Sequence, residues 1–188
     1  MSEETIDNQK FNFKDFYTKN KNKIILIIVL VILSIVSIII INEYKKKQNI
    51  DISEKYNNAK ILIENKNTKQ AFLILEKIVF KKNSFYSPSA LNLIIDNNLI
   101  KNKEKILSYF DEVILNSKLD LEMKNLFIFK KVVFIGEEIN ENELISNLKP
   151  IIKSNSLWKN TVLDYIKKYY LSKGEFNKAK EFEISINQ

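Results

Sequence analysis

The chain has 188 residues, with 30 basic residues, all lysine, against 23 acidic ones, for a net charge of +7 and neither cysteine nor histidine. Those absences exclude disulfides, zinc sites with Cys or His ligands, thiol nucleophiles and every triad that uses imidazole. With only two glycines and two prolines, phosphate-cradling glycine loops are absent and a turn-rich β architecture is disfavoured, so an all-α fold is expected, and the lack of arginine argues against a nucleic-acid partner.

Residues 1–23 form a polar tail followed by a juxtamembrane segment. In the latter, Phe11, Phe13, Phe16 and Tyr17 interleave with Lys10, Lys14, Lys19, Lys21 and Lys23. Rings and lysines in this mixture suit the headgroup zone of a bilayer. Residues 24–41 then run Ile-Ile-Leu-Ile-Ile-Val-Leu-Val-Ile-Leu-Ser-Ile-Val-Ser-Ile-Ile-Ile-Ile without a charge. As a helix, eighteen residues rise about 27 Å, close to the hydrocarbon thickness of a bilayer. The expectation is one transmembrane helix. Asn42-Glu43-Tyr44-Lys45-Lys46-Lys47 follows without a small-residue cleavage pattern, which favours an uncleaved signal anchor. Lys45, Lys46, Lys47, Lys55 and Lys60 balance the five lysines on the other side, so charge gives no topology.

Residues 42–188 read as one domain of helical hairpins. Ala59, Leu62 and Ile63 share a face, and a polar break at residues 64–68 precedes Ala71, Ile74, Leu75, Ile78 and Val79,. Ser87-Pro88 is expected to open the next helix, with Ser as N-cap and Pro in the first helical position. Its inward face is Leu91, Ile94, Ile95 and Leu99. After a break at residues 101–105 comes Ile106, Leu107, Phe110, Val113 and Ile114. Leu126, Phe127, Phe129, Val133 and Phe134 follow, ending near Gly136. A polar turn leads to Leu144, Ile145, Leu148, Ile151 and Ile152, with Pro150 expected to kink or end that helix. The last pair runs from Leu157 to Leu171 and from Phe176 through Ala179 and Phe182 to Ile186.

Aligning the second helix of each pair on Ala71, Ile106, Leu144 and Ala179 gives steps of 35, 38 and 35 residues. A helical hairpin repeated near 34 residues has the tetratricopeptide period. Four positions further on stand Leu75, Phe110, Leu148 and Glu183; seven on stand Ile78, Val113, Ile151 and Ile186. Tyr170-Leu171-Ser172-Lys173-Gly174-Glu175-Phe176-Asn177-Lys178-Ala179 resembles the tetratricopeptide inter-helix turn. That likeness implies that Gly174 permits the turn, Ala179 allows close helix approach and Phe176 caps the hairpin core. The earlier copies lack the glycine.

The order of parts resembles the ancillary SecYEG translocon subunit family of bacterial inner-membrane proteins. Carrying the likeness are Phe16-Tyr17 with Asn20 and Lys21 before a single span, Tyr56 and Ala59 after it, and Leu157-Trp158 leading to Leu171-Ser172-Lys173-Gly174. The resemblance implies a cytoplasmic N-terminus, one anchor, and a periplasmic tetratricopeptide-like domain. That domain would work beside the Sec translocon and periplasmic chaperones. It brings no catalytic residue, metal or cofactor.

Asp96, Asp111, Glu112, Glu137, Glu138, Glu141 and Glu143 are the carboxylates to weigh as acid–base pairs, and a solvated turn explains the crowd at residues 137–143. Trp158, Tyr165 and Tyr169 recur at spacings of seven and four and share one side of a helix. They are read either as packing between hairpins or as a partner-binding patch. Lys45 to Lys47 and Lys81-Lys82 are candidates for contact with anionic lipid, with plain solvation the preferred reading for Lys81-Lys82. The function expected is a membrane-tethered scaffold that binds other proteins, not an enzyme. The alternative is a self-associating envelope protein whose span pairs through Ser34 and Ser37.

Overall fold

A computed structural model describes residues 13–186, with side chains described from position 18 onward except at 19, 24 and 183–186. The polar tail, Phe11, and the side chains of Phe13, Lys14, Phe16, Tyr17, Lys19, Glu183 and Ile186 therefore lie outside the described residues. The described chain is helical without strands, and it divides into two compact units, Met1–Ile50 and Asp51–Gln188.

In the first unit, helix α1 (Phe13–Glu64, continuing into the second unit) carries the apolar run. Its most apolar eighteen-residue window has a mean hydropathy of 3.7, and none of it is buried among the described residues. This helix is long and apolar enough to cross a membrane. The Ser34 and Ser37 hydroxyls donate to the carbonyls of Leu30 and Leu33, each at 2.8 Å. A hydroxyl bonded one turn back needs no outside partner.

In the second unit, the end of α1 is followed by α2 (Thr68–Val79), α3 (Tyr86–Asp96), α4 (Lys103–Asn116), α5 (Leu121–Ile135), a 3-10 turn at Gly136–Glu138, α6 (Glu141–Ile152), α7 (Lys159–Ser172) and α8 (Phe176–Ile186). From α2 onward each helix packs on the next, giving a helical stack. Asn102, Asp120 and Asn140 cap α4, α5 and α6, each side chain accepting from the N–H three residues on at 2.8–2.9 Å,.

The turn inside the first, second and fourth hairpins is the same Schellman motif. The N–H of Asn67, Leu99 and Glu175 reaches the carbonyl of Leu62, Ile94 and Tyr170 respectively. One residue earlier, Lys66, Asn98 and Gly174 reach Ile63, Ile95 and Leu171. The residue in the left-handed conformation is Lys66 at φ 61, Asn98 at φ 48 and Gly174 at φ 77,. The glycine expected for the turn is thus needed in one copy only; in two others a side chain accepts the strained φ. The third hairpin differs, with Gly136 at φ 68 leading into the 3-10 turn.

Ala71, Ile106, Leu144 and Ala179 are all buried, as are Leu75, Phe110 and Leu148 and then Ile78, Val113 and Ile151. The periodicity therefore located the inward line of four helices. Pro150 is exposed in the last turn of α6, which ends two residues later.

Four local expectations need correction. Helix α3 begins at Tyr86, and its cap is Asn83, whose Oδ1 accepts from the N–H of Phe85 and Tyr86 at 3.0 and 2.8 Å. Ser87 instead lies buried in the first turn, donating to the Ile78 carbonyl and accepting from the Asn83 N–H. Val133 faces outward and Val132 inward, because α5 has apolar residues on several faces and its register could be drawn two ways. The first helix of the last pair begins at Lys159 rather than Leu157, and Phe176 is 69% exposed; Tyr170 and Phe182, stacked at 5.5 Å, fill the place assigned to Phe176.

The core is in two parts. One joins the end of α1, α2, α3 and α4 to Phe127 of α5. The other joins Val132 of α5, Ile139, α6, α7 and α8. Among the described residues, helix α5 alone supplies buried side chains to both.

Candidate protein-interaction surface

The three aromatic residues read as a patch are half-buried and packed against the second core. The structure does not gather them at one surface. Trp158 precedes α7, and its Nε1–H donates to the Glu122 carbonyl at 3.2 Å. The Glu122 carboxylate accepts from the Ser156 hydroxyl at 2.8 Å and the Leu157 N–H at 3.0 Å. Trp158 is thereby held at one end of an apolar groove of about 360 Å³ between α3 and α5, walled by Ile95, Leu126, Phe129, Val133 and Phe134. Asp96 and Lys130 stand at its edge, and Lys130 donates to the Asn92 side chain at 2.8 Å.

Tyr165 and Tyr169 line a separate hollow of about 230 Å³ with Gly136, Glu137 and Lys173. Tyr165 meets Phe129 edge-on at 5.5 Å. The Tyr169 hydroxyl donates to the Ile139 carbonyl at 3.2 Å, and its ring lies 5.7 Å from the Lys173 ammonium. Burial, then the neighbouring Tyr169, pushes the Tyr165 phenol above its ordinary range. Both rings thus combine packing with a partly open edge.

The weighed carboxylates are spread among separate lysines. Asp111 pairs with Lys131 and Glu138 with Lys103. Glu112 accepts from the Asn116 amide, and the Glu143 N–H is taken up by the α6 cap. Among the described residues no group of three or more Asp or Glu is placed to hold a metal ion.

Two buried-edge polar clusters were missed by the sequence. In the first, the Tyr109 hydroxyl of α4 donates to Glu76 of α2, which Lys105 pairs at 2.7 Å. Side-chain hydrogen bonds from Lys105 and Tyr109 hold the Glu76 carboxyl below its usual range. Burial, then Glu76, pushes the Tyr109 phenol up to about 12. In the second, the Tyr170 hydroxyl donates to Glu141 at 3.0 Å, and Lys178 bridges Glu141 and Glu175 at 2.8 and 2.7 Å. Tyr170 is likewise pushed up to about 12, by burial first and Glu141 second.

Lys105 and Lys178 each stand one residue before an aligned buried position, Ile106 and Ala179, and each lies over a tyrosine ring. That shared offset was the available signal. Both clusters tie helices together. No family model, curated protein or solved structure matches the chain.

Proposed function

We propose that the protein is a membrane-anchored scaffold whose helical stack binds other proteins, without catalysis of its own. The observation that carries this reading is the groove between α3 and α5. It leaves Val133 46% exposed in a lining shared with Phe129 and Trp158, on a helix with core on both sides. Rigid aromatic and aliphatic walls with a charged edge suit a protein segment. The unburied apolar run of α1 supports the anchor, which would raise the effective concentration of the groove near membrane-bound partners. From the family resemblance come the finer elements: a single uncleaved span in a bacterial inner membrane, a periplasmic tetratricopeptide-like domain, and partners at the Sec translocon and among periplasmic chaperones.

The test is affinity recovery from mildly solubilised membranes with the full chain and with Val133→Glu, whose side chain points out of the core. Translocon components or periplasmic chaperones recovered by the parent and lost with the variant would support the proposal. Recovery of neither by the parent would overturn it. Protease protection in spheroplasts tests the topology, and a domain shielded from outside would remove the periplasmic assignment. Self-association receives no support from Ser34 and Ser37, whose hydroxyls are bonded within their own helix.

A further inference from the structure

A larger cleft lies within the second unit, between residues 52–58 of α1 and the end of α2 with the two residues after it, with a volume of about 790 Å³. That volume is in the range of small-molecule and lipid-sized sites. Its floor is apolar: Ile52 and Ile78 are buried, Ile74 is half-buried and Phe80 is 49% exposed. Its charged lining is unequal in sign. Glu76 is already committed to Lys105 and Tyr109, and Lys55 is paired with Asp51 at 2.7 Å. Lys77 and Lys81 also line the cleft, and among the described residues neither has an ion pair.

We propose that this cleft binds an anionic phospholipid, its acyl portion against Ile52, Ile74, Ile78 and Phe80 and its phosphate between Lys77 and Lys81. Two features select that occupant. Two uncompensated ammonium groups over an apolar floor complement an amphiphile with a negative head, whereas a neutral apolar ligand would leave them unused. Lipid is also the molecule in best supply. Ile52 follows Ile41, the last residue of the apolar run, by eleven positions, so a bilayer holding that run is offered to the cleft at high effective concentration. The lysines also complement the carbonyl end of α2. Ile52 and Ile78 belong to the first core and Phe80 meets the Tyr109 ring edge-on at 5.8 Å; the lipid reading accounts for the half of Phe80 that stays exposed. The inference rests on the membrane anchor proposed above.

The test uses the full chain reconstituted in vesicles of phosphatidylglycerol or of phosphatidylcholine, each carrying a photoactivatable lipid of the same headgroup, with labelled peptides mapped. Expected are labels on residues 24–41 in both vesicles, and labels on residues 52–81 in phosphatidylglycerol alone. Lys77→Gln with Lys81→Gln should lower the cleft label by about thirtyfold, since each lysine near the surface changes affinity by about fivefold. Both side chains are exposed, so the variant keeps its fold, checked by an unchanged helical spectrum. Labels on residues 24–41 without any in the cleft would overturn the inference and leave the anchor standing. Absence of labels on 24–41 would overturn the anchor as well. Equal cleft labelling in both vesicles would refute headgroup selection. Cross-linking in cells from a photoreactive residue at position 80 to a protein, without lipid label in the cleft, would assign the cleft to a protein and overturn the inference.

Discussion

Tyr109→Phe removes one oxygen from a ring that is only 1% exposed and leaves the packing around it intact. The lost bond runs to a carboxylate, Glu76, which keeps Lys105 at 2.7 Å. A hydrogen bond to a charged group contributes about 2 kcal/mol. For a helical body of this size that lowers the midpoint of thermal unfolding by about 7 °C near neutral pH. The assay is circular dichroism of the full chain in detergent, scanned from pH 7 to 12.

The pH dependence is the sharper part. The phenol is raised in the folded protein from its ordinary value of 10.0 to about 12. Its contribution is therefore fully present below pH 10 and is lost as pH rises through 12. Allowing for solvent at Glu76, whose side chain is 24% exposed, the loss is about 1–2 kcal/mol. The variant lacks the phenol and escapes this share, so the gap between parent and variant should narrow between pH 10 and 12. A midpoint change below about 1 °C at neutral pH, or a gap that stays constant to pH 12, would refute the assignment of Tyr109 to Glu76.

The shared turn makes a paired prediction. Gly174 at φ 77 has open space where a Cβ would stand, so Gly174→Ala should destabilise by backbone strain alone, about 1 kcal/mol. Lys66 occupies the same left-handed position at φ 61, and Lys66→Gly should raise stability by up to about 1 kcal/mol in the same denaturation assay. Phe176→Ser, at a ring 69% exposed, should change stability by less than about 0.5 kcal/mol; a larger loss would restore its expected role in the hairpin core.

The inward line of the stack was legible because burial of Ala71, Ile106, Leu144 and Ala179 depends on local periodicity, which a linear sequence records. Turn identity was less legible. Lys66 adopts a conformation that glycine or asparagine advertises and lysine does not, since the surrounding Schellman bonds offset the strain,. Ser87 looked like a cap because Ser before Pro has that signature, yet Asn83 lies closer to the free N–H groups and Ser87 is drawn inward to the Ile78 carbonyl. The candidate surface suffered most. Trp158, Tyr165 and Tyr169 share a sequence spacing, but Trp158 stands at the N-cap of α7, beside the Ser156–Glu122 contact between residues 34 apart. Tyr109 with Glu76 and Tyr170 with Glu141 are likewise partners 33 and 29 residues apart, and no pattern within one helix foretells which acid a buried phenol will meet.

Helix α5 has a further consequence for how the stack comes apart. In a repeat array opening can begin at an end and stop. Here Phe127 closes one core and Val132 the other, five residues apart on a single helix. Detaching α5 would bare both apolar interiors in one event, so any hydrogen exchange that requires its release would be shared by the two halves. The same helix walls the groove, and a segment seated against Val133 would clamp that opening shut from outside.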